Sequence, residues 1–259
     1  MEAWLLATVL AALIWSVIGI VAKKLMNHST GLAYTFLYSF LAFVLYTPVF
    51  LYFITTETVT FTPLVLIAFT VSGLMNIAGF MFYNYSIKLG ELSTVIPFTK
   101  LNPVFTGILA AVFLGEAMTV SKGLGIILVT AGSYVILKDR EHGYLEPLKK
   151  FKAQDAPKLG AASALVFSVA AIADRYATQA VTPEIYTYMI YIFMTAGLTT
   201  YILAKDRKIL GEAYRNFFDE KILYTLTGLG AALSSYLIFY SFSQAEASKV
   251  IPVLQIQVF

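Results

Sequence analysis

The sequence predicts an all-α, polytopic membrane bundle assembled from two copies of one multi-helix unit. Three observations carry that prediction. The chain is 59% hydrophobic and only 13% charged, with a mean hydropathy of +0.76, and a soluble domain of this length has too little interior to hide so much apolar surface. The apolar residues come in uninterrupted runs of membrane-spanning length, not as amphipathic stripes. Finally, Tyr85-Ser86, Glu91, Ser93 and Val95-Ile96-Pro97 return as Tyr240-Ser241, Glu246, Ser248 and Val250-Ile251-Pro252, 155 residues later by subtraction.

The first run, 3–22, holds no charge. It is too long for the core of a cleaved leader, has no basic region before it and stops at Lys23-Lys24, so it reads as a retained first span. Further spans are predicted near 32–54, 64–87, 92–114 and 119–137. The fourth is interrupted by Pro97 and Pro103. A polar stretch with Pro147, Pro157 and mixed charges then joins the halves; a short surface helix fits there, a separate domain does not. Spans resume near 159–178, 184–204 and 222–242, and a ninth begins near 247. The predicted organisation is therefore 1–138, a first five-helix repeat; 139–158, a polar connecting loop; and 159–259, a second repeat that is C-terminally incomplete.

Outside the opening match, Ser16, Lys23 and Tyr34-Thr35 sit over Ser168, Arg175 and Tyr186-Thr187 at an offset of 152, and Gly73-Leu74 over Gly228-Leu229 at 155. Five spans per unit is an odd number, so the second copy is expected to enter the bilayer from the opposite side, as inverted repeats do. The first unit runs about 33 residues past the position equivalent to Phe259, which predicts a ten-span parent lacking here most of its ninth span and all of its tenth. Basic residues in short loops set orientation. Lys23, Lys24, Lys88 and the basic residues of 138–158 and 205–221 share one face, which the rule places in the cytoplasm with the N-terminus outside.

With no cysteine in the chain, disulfides and thiolate metal sites are excluded. A formal net charge of +3 is too small to suggest nucleic acid. No metal, cofactor or enzymatic motif is expected. The expected partners are a small-molecule substrate and the lipid bilayer, with the protein acting as a monomer.

Lys100 is the sharpest candidate. It falls near the middle of the fourth span, where a charge costs roughly 2.5–3.5 kcal/mol on insertion scales and so seeks a wet cavity or a partner. It either attracts an anionic or zwitterionic solute or is a structural lysine held by carbonyls. Pro97 and Pro252 each remove a helical hydrogen bond, as paired hinges beside the site or as plain packing kinks. Gln255 aligns with Lys100 and Gln257 with Asn102, so one half offers a cation and the other an amide. Asn76 and Tyr83 share an inward face of the third span; Tyr240, Asn102 and Trp15 complete the candidate pocket. Tyr34, Tyr186 and Tyr188 open spans and read as interfacial belt residues. Glu91 and Glu246 suit helix starts, Glu116 a cap on the fifth span or a partner for Lys122. Gly123, Gly125, Gly132, Gly228 and Gly230 suit close helix packing. No carboxylate falls deep in a predicted span, which argues against an exporter built around a central acid.

Two five-helix units, Trp15 in the first span, Glu91, Ser93 and Pro97 opening the fourth and Leu114-Gly115-Glu116 at its exit together resemble the EamA-type transporters of the drug/metabolite transporter superfamily. The resemblance covers essentially the whole chain. It implies a ten-helix fold around a central cavity, transport of small organic metabolites and cytoplasmic termini; the last differs from the charge count. The expected function is secondary transport of a small organic anion or zwitterion across the cytoplasmic membrane by alternating access. The alternative is a non-transporting integral membrane protein, either a structural subunit or an intramembrane enzyme.

Overall fold

A computed structural model describes residues 2–57, 61–137 and 151–257. The described segments are helices joined by short turns. The helices are α1 (Ala3–Leu25), α2 (Gly31–Thr56), α3 (Pro63–Leu89), α4 (Leu92–Thr99), α5 (Asn102–Phe113), α6 (Val120–Leu137), α7 (Asp155–Ala177), α8 (Pro183–Lys205), α9 (Lys208–Asp219), α10 (Lys221–Gln244) and α11 (Ala247–Leu254). Among the described residues seven segments are long and apolar enough to cross a membrane, with α4 and α5 counted as one. In α6 the apolar stretch is shorter, Val120–Ser133. The predicted connecting loop lies mostly outside the described residues.

Side-chain placement shows why these helices need lipid. On α1, Leu6, Leu10, Leu13, Val17 and Ile20 recur at helical spacing and are all exposed, while Ala7, Ala11, Ile18 and Ala22 on the other face are buried. Water would penalise such an outer face by about 25 cal/mol per Å²; a bilayer does not. The inner faces use small residues, so backbones approach closely.

Three antiparallel pairings build the bundle. From Ser72 through Gly79 to Gly90, α3 descends along α7 past Asp174, Phe167 and Ala156. Helix α1 runs against α10: the Thr8 hydroxyl donates to Ser241 Oγ at 2.9 Å, and Ser234 Oγ donates to the Ala11 carbonyl at 3.0 Å. Helix α2 meets α8, where Phe50 stacks on Tyr188 with ring centroids 4.0 Å apart. Gly73 faces Phe193 of α8 and Gly228 faces Leu41 of α2. Those two contacts are related by the same offsets of 155 and 152 that the sequence repeat carries.

The predicted fourth span is broken. Helix α4 ends at Thr99, Lys100 and Leu101 turn out of the helix, and α5 starts at Asn102. Its counterpart α11 has the same eight-residue length and ends one residue before Gln255. In each the break follows three residues after the proline, Pro97 or Pro252. A proline weakens the ladder, and Asn102-Pro103 restarts a helix with proline in the first turn, where its missing N–H costs nothing.

Several expectations change. The 205–221 segment, expected as a basic loop, contains α9, an amphipathic helix whose Ala213 is buried while Tyr214 and Phe218 stay exposed. Gly123, Gly125 and Gly132 have no neighbour within 4 Å of where a side chain would start, so among the described residues they serve no close packing. Gly228 and Gly230 do: a Cβ on Gly228 would stand 2.6 Å from Leu41. Glu116 neither caps the fifth span nor pairs with Lys122. It reaches across to α11, accepting from the Ala247 amide at 2.8 Å and the Ser248 amide at 3.0 Å, a carboxylate on the positive end of a helix.

Candidate functional site

The break between α4 and α5 opens onto a central cavity of about 310 Å³. Trp15, Asn76, Tyr83, Lys100, Asn102 and Gln255 all line it. Six residues scattered over 240 positions of sequence are thus gathered on one wall system by α1, α3, the broken span and the end of α11. Tyr240 does not reach it; its ring lies beside Tyr236, with centroids 6.4 Å apart. Pro97 and Pro252 sit behind the lining, inside the short helices whose ends form it.

Lys100 is 6% exposed. Its ammonium donates to the Gln257 carbonyl at 3.2 Å, so the end of the second copy's broken helix faces the cation of the first. Asn102 is more committed. Its amide donates to the Ala164 carbonyl at 3.0 Å and to Ser168 Oγ at 2.9 Å, pinning the start of α5 to α7. Asn76 donates to the Ser72 carbonyl at 3.0 Å and to Ser72 Oγ at 3.2 Å.

That bond leads to the residue the sequence reading missed. Asp174 is buried, 6% exposed, and lines the cavity. Ser72 Oγ donates to its Oδ1, and the Tyr186 hydroxyl donates to the same oxygen at 2.6 Å. Among the described residues no hydrogen bond reaches Oδ2, and Oδ2 is not a buried orphan atom. Asp174 is thus a carboxylate buried within the bundle although it stands near a span end. Asp174 lies one turn from the end of α7, where a charge ordinarily reaches the interface; α7 is set so that this turn packs against Ser72, well inside α3. The one available signal was Ser72 in an apolar run. Tyr186 is likewise no belt residue: it is fully buried and stacks on Phe69 at 4.7 Å. Tyr34 lines the cavity, and Tyr188 is covered by Phe50.

The two ends of the cavity differ. Toward the ends of α3 and α8 it shares Met26, Thr35, Phe80 and Asn84 with a second hollow of about 560 Å³, lined also by Lys88 and Lys205. At the other end Phe69, Tyr186 and Phe239 pack into a plug, the first two stacked and Phe239 edge-on to Tyr186. Beyond the plug, Glu246 pairs with Lys249 at 2.6 Å and with Lys122 at 2.9 Å. Those ammoniums hold the Glu246 carboxyl below the ordinary carboxylate range.

Polar groups on broken helices around a central cavity recur in secondary transporters, and comparison with known proteins gives the family. The sequence profile of the EamA-like transporter family matches residues 2–138. The chain belongs to that family. A curated relative, described as "Uncharacterized transporter in cobO 3'region" from Sinorhizobium sp, is 34% identical over 65 residues. That match spans 25% of this chain and 46% of the relative, less than half its length. A solved structure, described only as "Crystal structure of protein", superposes with a TM-score of 0.59 at 15% identity, over 98% of this chain and 93% of that one. At that identity the likeness concerns the fold alone. This member of the EamA-like family is a multi-pass membrane protein.

Proposed function

We propose that the protein is a secondary transporter that moves a small organic anion or zwitterion across the cytoplasmic membrane by alternating access. The observation that carries this is Lys100, a cation placed on a helix break and lining the central cavity. Broken helices leave backbone groups and a charge to meet a solute at mid-membrane, where continuous helices would present only side chains. Pro97 and Pro252 shape the two breaks; Asn76, Tyr83 and Gln255 stand on the same lining. The antiparallel pairings and the equivalent contacts of Gly73 and Gly228 support two inverted units, the arrangement in which rocking one half against the other exchanges open ends. In this conformation the hollow on the basic side continues the cavity while aromatics and ion pairs close the other side. With the basic side cytoplasmic, that is an inward-facing state.

The test is uptake into cells or vesicles by the full-length protein. Lys100→Gln keeps a polar side chain on the lining, one atom shorter, but removes the charge. Uptake of organic anions or zwitterions is expected to fall about 10- to 100-fold, the worth of one charged hydrogen bond, with expression and thermal stability retained. Undiminished uptake by that variant rejects the assignment.

A further inference from the structure

We infer that α9 is a membrane-surface anchor, which sinks Tyr214 and Phe218 among the acyl chains of the leaflet on the basic side and sets Lys208 and Arg215 against anionic phospholipid headgroups. The inference stands apart from the solute and from the central cavity. Chain continuity supplies the first argument. Helix α8 ends at Lys205 and α10 starts at Lys221, and both are long and apolar enough to cross a membrane. The 12 residues of α9 reach about 18 Å, too short and too polar to cross, so α9 lies along the surface between two spans. Its side chains divide into arcs. Ile209, Ala213 and Phe217, on successive turns, pack on the core. Tyr214 and Phe218 form the next arc, 69% and 57% exposed, with ring centroids 4.7 Å apart. Lys208 and Arg215 form the third and are also exposed. Glu212, roughly 160° round the helix from Tyr214, accepts from the Thr30 amide at the start of α2, so the aromatic arc faces away from the bundle.

The charges identify the partner. Three of the four acids in 205–221 are spent on the protein. Asp206 accepts from the Lys208 amide at 3.0 Å, Glu212 accepts from the Thr30 amide and hydroxyl, and Glu220 stands 4.0 Å from Lys24. The basic residues are not spent. Lys205, Arg207, Lys208, Arg215 and Lys221 are all exposed, and among the described residues none of them has a carboxylate partner. Cations without counter-ions, beside exposed aromatics, fit an anionic leaflet. There each Lys or Arg near the surface is worth about fivefold in affinity, and aromatic rings settle at the headgroup boundary. Ile209 and Lys205 also line the second hollow, so the anchor fixes one wall of its mouth.

The experiment places the full chain in nanodiscs of phosphatidylcholine mixed with phosphatidylglycerol. The native chain offers no cysteine, so Tyr214→Cys, Phe218→Cys and Arg215→Cys each carry a single spin label. Relaxation of the label is read against oxygen, which concentrates among acyl chains, and against a water-soluble nickel chelate. Labels at 214 and 218 are expected to favour oxygen over nickel about threefold or more relative to the label at 215. Equal nickel access at all three positions overturns the anchor. Exclusion of both reagents at 214 and 218 overturns it too, because a protein neighbour would then cover that arc. Headgroup contact is read separately, by native mass spectrometry of the chain offered both lipids in equal amounts. Wild type is expected to retain phosphatidylglycerol over phosphatidylcholine, and the double variant Lys208→Gln/Arg215→Gln to lower that preference about fivefold or more. No preference in wild type, or one undiminished in the double variant, overturns the anionic assignment.

Discussion

Single residues carry the chemistry, and Glu116 shows how much one side chain can hold. It lies in the turn after α5, yet it caps α11 with bonds to two amides and, at 2.5 Å, to the Ser248 hydroxyl. Removing such a cap costs about 0.5–2 kcal/mol. Glu116→Ala is therefore expected to lower thermal stability in detergent measurably and to speed proteolysis between α10 and α11, whereas Glu116→Gln, still an acceptor, should lose about half as much. Lys100 was legible from the sequence because it interrupts an apolar run at its centre, where no surface is within reach. Asp174 was not, because its burial is set by how α7 packs against α3 and not by its distance from a span end. Glu116 was misread for the same reason: its partners are more than a hundred positions away.

Helices carry the packing, and their glycines divide into two kinds. On Gly228 a new methyl would meet Leu41 and the Ala42 backbone nitrogen, 3.2 Å away, atoms that cannot rotate aside. Gly228→Ala is expected to destabilise by about 1–3 kcal/mol as overpacking. Gly123→Ala meets nothing and should be neutral or stabilise α6 by up to about 1 kcal/mol; melting curves of the two variants side by side decide it. Most helix positions were readable within a few residues, since lipid requires long apolar runs whatever they pack against. The break at Lys100-Leu101 was foreshadowed by Pro97 and Pro103 but not located by them. Helix α9 escaped notice because a short amphipathic segment between spans lacks the length signal; it is tied to the start of α2 by the Thr30 amide, which donates to Glu212 at 2.5 Å.

At the scale of the whole molecule, Glu246 pairs with Lys249 at the start of the second half's broken helix and with Lys122 in the first turn of α6, joining the two halves. Because the folded state holds Glu246 low, its contribution is present above the ordinary carboxylate range and is lost as pH falls through the depressed value. Acidification through that window is expected to loosen this end of the bundle, and Glu246→Gln to abolish that pH dependence, as read by labelling of a cysteine introduced at the buried Ala245. The native chain has no cysteine, so single replacements also test orientation. Cysteine at Lys88 or Lys205 should react with an impermeant thiol reagent from the cytoplasmic side only. The pairing of α1 with α10 has a further effect, on biosynthesis. Thr8 meets Ser241 across 233 positions of chain, which a ribosome takes about 10–50 s to make. Through that delay the first helix must rest in lipid or against an insertase with its polar stripe unmatched. The Thr8 hydroxyl has a provisional acceptor meanwhile, the Trp4 carbonyl one turn back at 2.7 Å, so the nascent helix carries its own stopgap until its mate emerges.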